Sequence, residues 1–141
     1  MRPPYDVVIA GGGAAGLSAA LVLGRCRRSV LVCDGGHPRN AASHAAHCLL
    51  GNEGIAPGEL LAKGRHELRA YRHVTLRDDE VISIRREKTE FTFSCGSKFT
   101  AVARKVLLTT GLKDDVPDIE GIEKLYGRSI HRWITSEAMT N

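Results

Sequence analysis

The stretch YDVVIAGGGAAGLSAALVLGR, residues 5–25, decides how this chain folds. It opens with an apolar, β-branched run that stops at three consecutive glycines, the pattern of a buried strand ended by a tight turn. Beyond the glycines, Ala15, Leu17, Ala19, Ala20 and Leu23 are spaced as on the packed face of a helix. The run SVLVCD, residues 29–34, then supplies a second buried strand. Strand, turn, helix and strand close a β-α-β unit of about 30 residues, and such a unit needs parallel strands joined by a right-handed crossover. The fold class is therefore α/β, with a sheet that is at least partly parallel.

The glycines have a second meaning. Gly11, Gly13 and Gly16 stand in G-x-G-x-x-G register directly after the strand and at the helix opening, and Asp34 ends the next strand 23 positions after Gly11. This is the context in which a dinucleotide fingerprint is specific. The first glycine permits the turn, the second lets a pyrophosphate approach the backbone, and the third lets helix and strand pack closely. The helix N-terminus offers free N–H groups and a partial positive charge to the phosphates. Asp34 is placed to accept hydrogen bonds from ribose hydroxyls, and its charge repels a 2′-phosphate, which favours FAD or NAD over NADP at this site.

Working outward, 141 residues make one ordinary domain. Hydrophobic residues at 43% and charged residues at 26% exclude a disordered or fibrous chain. The net charge of +4 comes from cations interleaved with acids, and three Phe, three Tyr and one Trp supply a poor stacking platform, so nucleic-acid binding is not expected. No apolar run approaches the ~20 residues that cross a bilayer, and the N-terminus does not read as a secretory signal, so neither a membrane partner nor export is expected and the location is read as cytoplasmic. Cys26, Cys33, Cys48 and Cys95 form no C-x-x-C pair and read as reduced thiols, with Cys33 a small core residue.

The segment GGHPRNAASHAAHCLLGNEGIAPGE, residues 35–59, reads as a long functional loop leading into a helix over GELLAKGRHELRAY. His37, His44 and His47 lie in it without a completing ligand spacing, so no metal site is expected. EVISIRRE, TEFTFSCG and KFTAVAR alternate as a small antiparallel meander with a turn at CGS, and KVLLTTG returns as a buried strand ending at Gly111.

Taken together, YDVVIAGGGAAGLSAALVLGR, VLVCDGGHPRN, LLGNEGIAPGELL, EVISI and KVLLTTGLKDDVPDIEG resemble, in order and in register, the thioredoxin reductase-like FAD-dependent pyridine nucleotide-disulfide oxidoreductases, over nearly all of the chain to about Ile130. The resemblance implies a Rossmann-like FAD/NAD(P)-binding domain, with a parallel sheet, helices on one side and a small antiparallel meander. It implies that Gly11, Gly13, Ala14, Ala15 and Gly16 serve the FAD pyrophosphate, Asp34 the adenosine ribose, Gly35, Arg39 and Asn40 the length of the cofactor, Val81 the adenine through its backbone, and Gly111 the flavin side. Thr109 departs from the alanine usual in the family, and residues 43–51 lack its Asn-aromatic-Pro-Gly pattern.

Residues 1–126 are thus expected to form the N-terminal part of an FAD-binding domain, and 127–141 the truncated start of a nicotinamide-domain segment. Aligning GRSIHRWITS on the family's dithiol segment puts Trp133 and Ser136 where two cysteines belong, and neither performs thiolate–disulfide exchange. The chain is expected to be a flavoprotein oxidoreductase portion, with no catalytic residue of its own, in which NAD or NADPH reduces FAD only when another segment, another chain or a homodimer partner supplies the nicotinamide site. The alternative is a non-catalytic dinucleotide-binding module acting as a sensor or regulator.

Overall fold

The computed structural model describes residues 4–113, 115 and 117–125. In chain order the elements are β1 (Tyr5–Ala10), α1 (Ala14–Arg25), β2 (Val30–Asp34), α2 (Pro57–Leu68), β3 (Val74–Asp78), β4 (Val81–Glu87), β5 (Glu90–Cys95), β6 (Thr100–Leu108) and the short α3 (Ile122–Leu125). The six strands form one sheet in the order β3-β2-β1-β6-β5-β4. β3, β2, β1 and β6 run parallel, and β6, β5 and β4 form the antiparallel meander. This is the mixed, Rossmann-like α/β architecture that the family resemblance implies.

Alternation along the strands sends side chains to two separate cores. Ile9, Val30 and Val32 meet Leu17 and Ala20 of α1 and Leu68 of α2. Val8, Leu31 and Cys33 point the other way and meet Phe93, Cys95 and Ala103 of the meander. Both long helices therefore cover one face while the meander curls over the other, where Cys33 and Cys95 bring their sulfurs to 3.8 Å. Gly64 keeps the helices close, since a Cβ on it would lie 3.1 Å from Leu17.

Three readings are corrected or extended. KFTAVAR and KVLLTTG are one strand rather than two: β6 pairs with β5 through Thr100–Ala103 and with β1 from Ala103 to Leu108, because a single extended segment can serve two neighbours along its length. Its end is not buried as expected: Leu108 is 65% exposed, nothing among the described residues covering it. HVTLRD, unassigned from its pattern, forms the third parallel strand β3, paired from Val30↔Val74 to Asp34↔Asp78. Ala15 sits on the exposed side of α1, the buried positions being Gly16, Leu17, Ala20 and Gly24. Trp133, Ser136, the boundary at 126 and the whole 127–141 segment lie outside the described residues.

Candidate functional site: a cleft at the C-terminal ends of the parallel strands

The glycine turn is built by close approach. Gly11 adopts φ +108°, a conformation L side chains rarely take, and a Cβ on it would strike the Thr109 carbonyl at 2.2 Å. The Gly11 N–H donates to the Cys33 carbonyl (2.8 Å) and the Thr109 N–H to the Ala10 carbonyl (2.9 Å), so β2, β1 and β6 deliver their ends to one place. The Thr109 hydroxyl donates in turn to the Gly11 carbonyl (2.8 Å) and the Ala10 carbonyl (3.1 Å). Gly16 presses against the back of this turn, where a Cβ would come within 2.0 Å of the Gly11 carbonyl oxygen. Gly13 is different. It is the residue before α1, in extended backbone (φ −71°, ψ −175°), and a Cβ there would meet nothing within 4 Å.

In front of the turn lies a cleft of about 170 Å³, lined by Gly11, Gly12, Gly13, Asp34, Arg39, Asn40 and Gly111 together with His37, Pro38, Leu61, Thr109, Thr110 and Leu112. A second cleft of about 130 Å³ continues from it, sharing Gly11, Asp34, His37 and Thr110 and adding Gly35, Glu80 and Val81. Eight of the residues assigned from the sequence thus fall along one groove: Gly11, Gly13, Asp34, Gly35, Arg39, Asn40, Val81 and Gly111. The other three do not line it. Gly16 lies behind the turn, Ala14 lines the separate groove between α1 and α2, and Ala15 is exposed. At the helix start, however, Ala14 and Ala15 carry main-chain N–H groups that have no intrahelical acceptor, and no acidic side chain stands in the first turn to compete for them.

Asp34 is half-buried at the junction of the two clefts. Burial works against its ionisation, but the Gly36 N–H (3.2 Å), the Arg65 guanidinium and the Gly12 N–H outweigh it and hold the carboxyl below its ordinary value. Arg65 Nη2 donates to Asp34 Oδ2 at 2.6 Å and Arg65 Nη1 to Asp78 Oδ1 at 2.7 Å. Neither Arg65 nor Gly12 was singled out from the sequence. Gly12 carried a signal, being the middle of the glycine triplet, and a Cβ on it would meet Asp34 at 2.7 Å. Arg65 carried none, because 31 residues separate it from Asp34.

The remaining features lie elsewhere. His47 Nδ1 pairs with Glu53 Oε1 at 2.7 Å, and Glu53 Oε2 also accepts from the Cys48 N–H at 2.7 Å, organising the exposed part of the loop. Cys33 is pushed up to about 12 by burial and by Cys95, the condition of an inert core thiol. Among the described residues no helix is long and apolar enough to cross a membrane.

A cleft at the C-terminal ends of parallel strands, with a glycine turn at a helix start and an acid on the adjoining strand, has the donors and shape for a dinucleotide: an open approach at Gly13, free N–H groups for phosphate and a carboxylate for ribose. The chain is similar to known proteins over most of its length. The "Probable thioredoxin reductase" of Arthroderma benhamiae is 36% identical over 135 residues, covering 90% of this chain and 33% of that protein. A thioredoxin reductase of Claviceps purpurea is 37% identical over 128 residues, covering 89% of this chain and 40% of its own length. The crystal structure of an oxidoreductase from Agrobacterium tumefaciens superposes with a TM-score of 0.84 at 34% identity, covering 89% of this chain and 43% of that one. The chain thus spans between a third and somewhat under half of the relatives it matches. The sequence profile of the pyridine nucleotide-disulphide oxidoreductases matches residues 5–140, and the chain belongs to that family.

Proposed function

We propose that this chain is the FAD-binding portion of a thioredoxin reductase-like flavoprotein. The observation that carries the reading is the pair of adjoining clefts that runs from Gly111 past the glycine turn and Asp34 to Val81, with the N–H groups of the helix start between its two ends, where a pyrophosphate would lie. In it, the N–H groups at the start of α1 hold the pyrophosphate, Asp34 accepts from the adenosine ribose, Val81 and Gly35 flank the adenine end, and Arg39, Asn40 and Gly111 border the path towards the flavin. When bound, FAD supplies a two-electron centre that accepts hydride from a reduced nicotinamide and passes electrons to an acceptor. This chain's residues bind and orient; none of them is assigned a step in the chemistry.

The reductant, NAD(H) or NADPH, and the dithiol that delivers electrons to a disulfide are proposed to reside in a nicotinamide-binding portion beyond these residues, in the same protein, a separate chain or a homodimer partner. The four free thiols suit a reducing, cytoplasmic setting. The test is a visible absorption spectrum of the chain after incubation with FAD and removal of free ligand. Retained flavin at about one per chain supports the reading, and bleaching by NAD(P)H after addition of a nicotinamide-binding partner extends it to turnover. Loss of all flavin at micromolar FAD, with the chain folded, overturns it. Retained flavin that no reductant or partner bleaches favours a binding module without turnover.

A further inference from the structure

Asp34 and Asp78 are register partners at the C-terminal ends of adjacent parallel strands, about 4.8 Å apart in the pairing direction. Two carboxylates so placed repel. Arg65 resolves the conflict by giving one guanidinium nitrogen to each, at 2.6 Å to Asp34 Oδ2 and 2.7 Å to Asp78 Oδ1. The tight α1–α2 packing at the neighbouring Gly64 fixes where Arg65 starts from, and its side chain is 30% exposed against 83% for Asp78 and 19% for Asp34. The Arg65 contact is on Oδ2 and the Gly36 N–H on Oδ1, and the Gly12 N–H also reaches the carboxylate, so both oxygens are held and one of the roughly four lone pairs is left for another donor.

Resting on the dinucleotide reading above, we propose that Arg65 is a positioning residue: anchored by Asp78, it holds the Asp34 carboxylate oriented towards the groove for a ribose hydroxyl. Arg65 then takes part in ligand recognition without touching the ligand. The charges of Asp34, Asp78 and Arg65 sum to −1, so Arg65 cancels one of the two neighbouring carboxylates.

The test measures equilibrium binding of ADP and of 2′,3′-dideoxy-ADP to the whole chain, with ligand-free melting of every variant as the control for folding. Arg65→Met is expected to weaken ADP roughly tenfold or more, as expected for a disturbed charged hydrogen bond, while leaving the dideoxy analogue within about twofold. Asp34→Asn should produce the same selective loss, and the double variant should add little to either. Arg65→Lys, which keeps the charge without the fork, should fall between wild type and Arg65→Met. Equal weakening of both ligands by Arg65→Met, or none, overturns the positioning role. If wild-type chain binds neither FAD nor ADP, the dinucleotide reading itself fails and takes this role with it.

Discussion

Gly13 and Gly16 belong to one motif but should fail in different ways when a methyl group is added. In Gly16→Ala the new Cβ would lie 2.0 Å from the Gly11 carbonyl oxygen and 2.8 Å from the Thr109 hydroxyl. Ordinary contact needs roughly 3.5 Å, so helix and turn must part by more than 1 Å against main-chain atoms that cannot swing aside. Overpacking costs about 1–3 kcal/mol, the rigid neighbour places this case near the top, and the helix propensity of alanine returns about 1 kcal/mol. The net loss is about 2 kcal/mol, or roughly 6–12 °C in melting temperature for a domain of this size. In Gly13→Ala the Cβ meets nothing, and its φ of −71° suits any residue. A loss of about 1 kcal/mol in capping is offset by a similar gain from a stiffer unfolded chain. That variant should melt within about 3 °C of wild type. Its methyl group nevertheless occupies the approach of the pyrophosphate, so FAD affinity, read by quenching of flavin fluorescence, should fall at least about tenfold. Ligand-free scanning calorimetry and FAD titration of both variants decide the matter. A Gly16→Ala protein as stable as wild type, or a Gly13→Ala protein that is equally destabilised or binds FAD normally, would falsify this division of labour.

Thr109→Val removes the hydroxyl that donates to the Gly11 and Ala10 carbonyls and should lower stability in urea by about 1–2 kcal/mol, whereas Thr109→Ser should lose well under half of that; equal stability of all three proteins counts against the brace. In the native chain a thiol reagent at pH 8 should label Cys26 and Cys48, which are exposed, and spare Cys33 and Cys95, with all four labelled after denaturation; rapid labelling of all four would show that the second core opens readily. Asp34 is held below its ordinary value of 3.8, so its contribution to stability is present above that pH and is lost as pH falls through the lower folded value. Between pH 5 and 2 wild type should therefore lose more stability than Asp34→Asn, and parallel melting curves for the two would refute the assignment.

The strand, glycine turn, helix and second strand were legible because each is a local pattern: apolar alternation, a glycine triplet and helical spacing act within a few residues of themselves. The same locality made most of the groove readable, since the ends of β1, β2 and β6 must meet once the strands run parallel. It misjudged Ala15, whose place on the helix depends on what α1 packs against, and it divided β6, whose two halves differ in partner rather than in conformation. It passed over β3, where Thr75, Arg77 and Asp78 interrupt the apolar run on an edge strand of the sheet.

What the sequence determined by itself is the β-α-β unit and the chemistry of its turn, because φ freedom, N–H donors and a carboxylate are properties of residues at short range. Only the tertiary structure decided which glycines are required by packing and which faces open space. It alone brought Thr109 under Gly11, and Arg65 between Asp34 and Asp78. Those contacts span 98, 31 and 13 residues, and a charge pair or a methyl-sized gap at such separations exists only after the sheet and helices have fixed the distances.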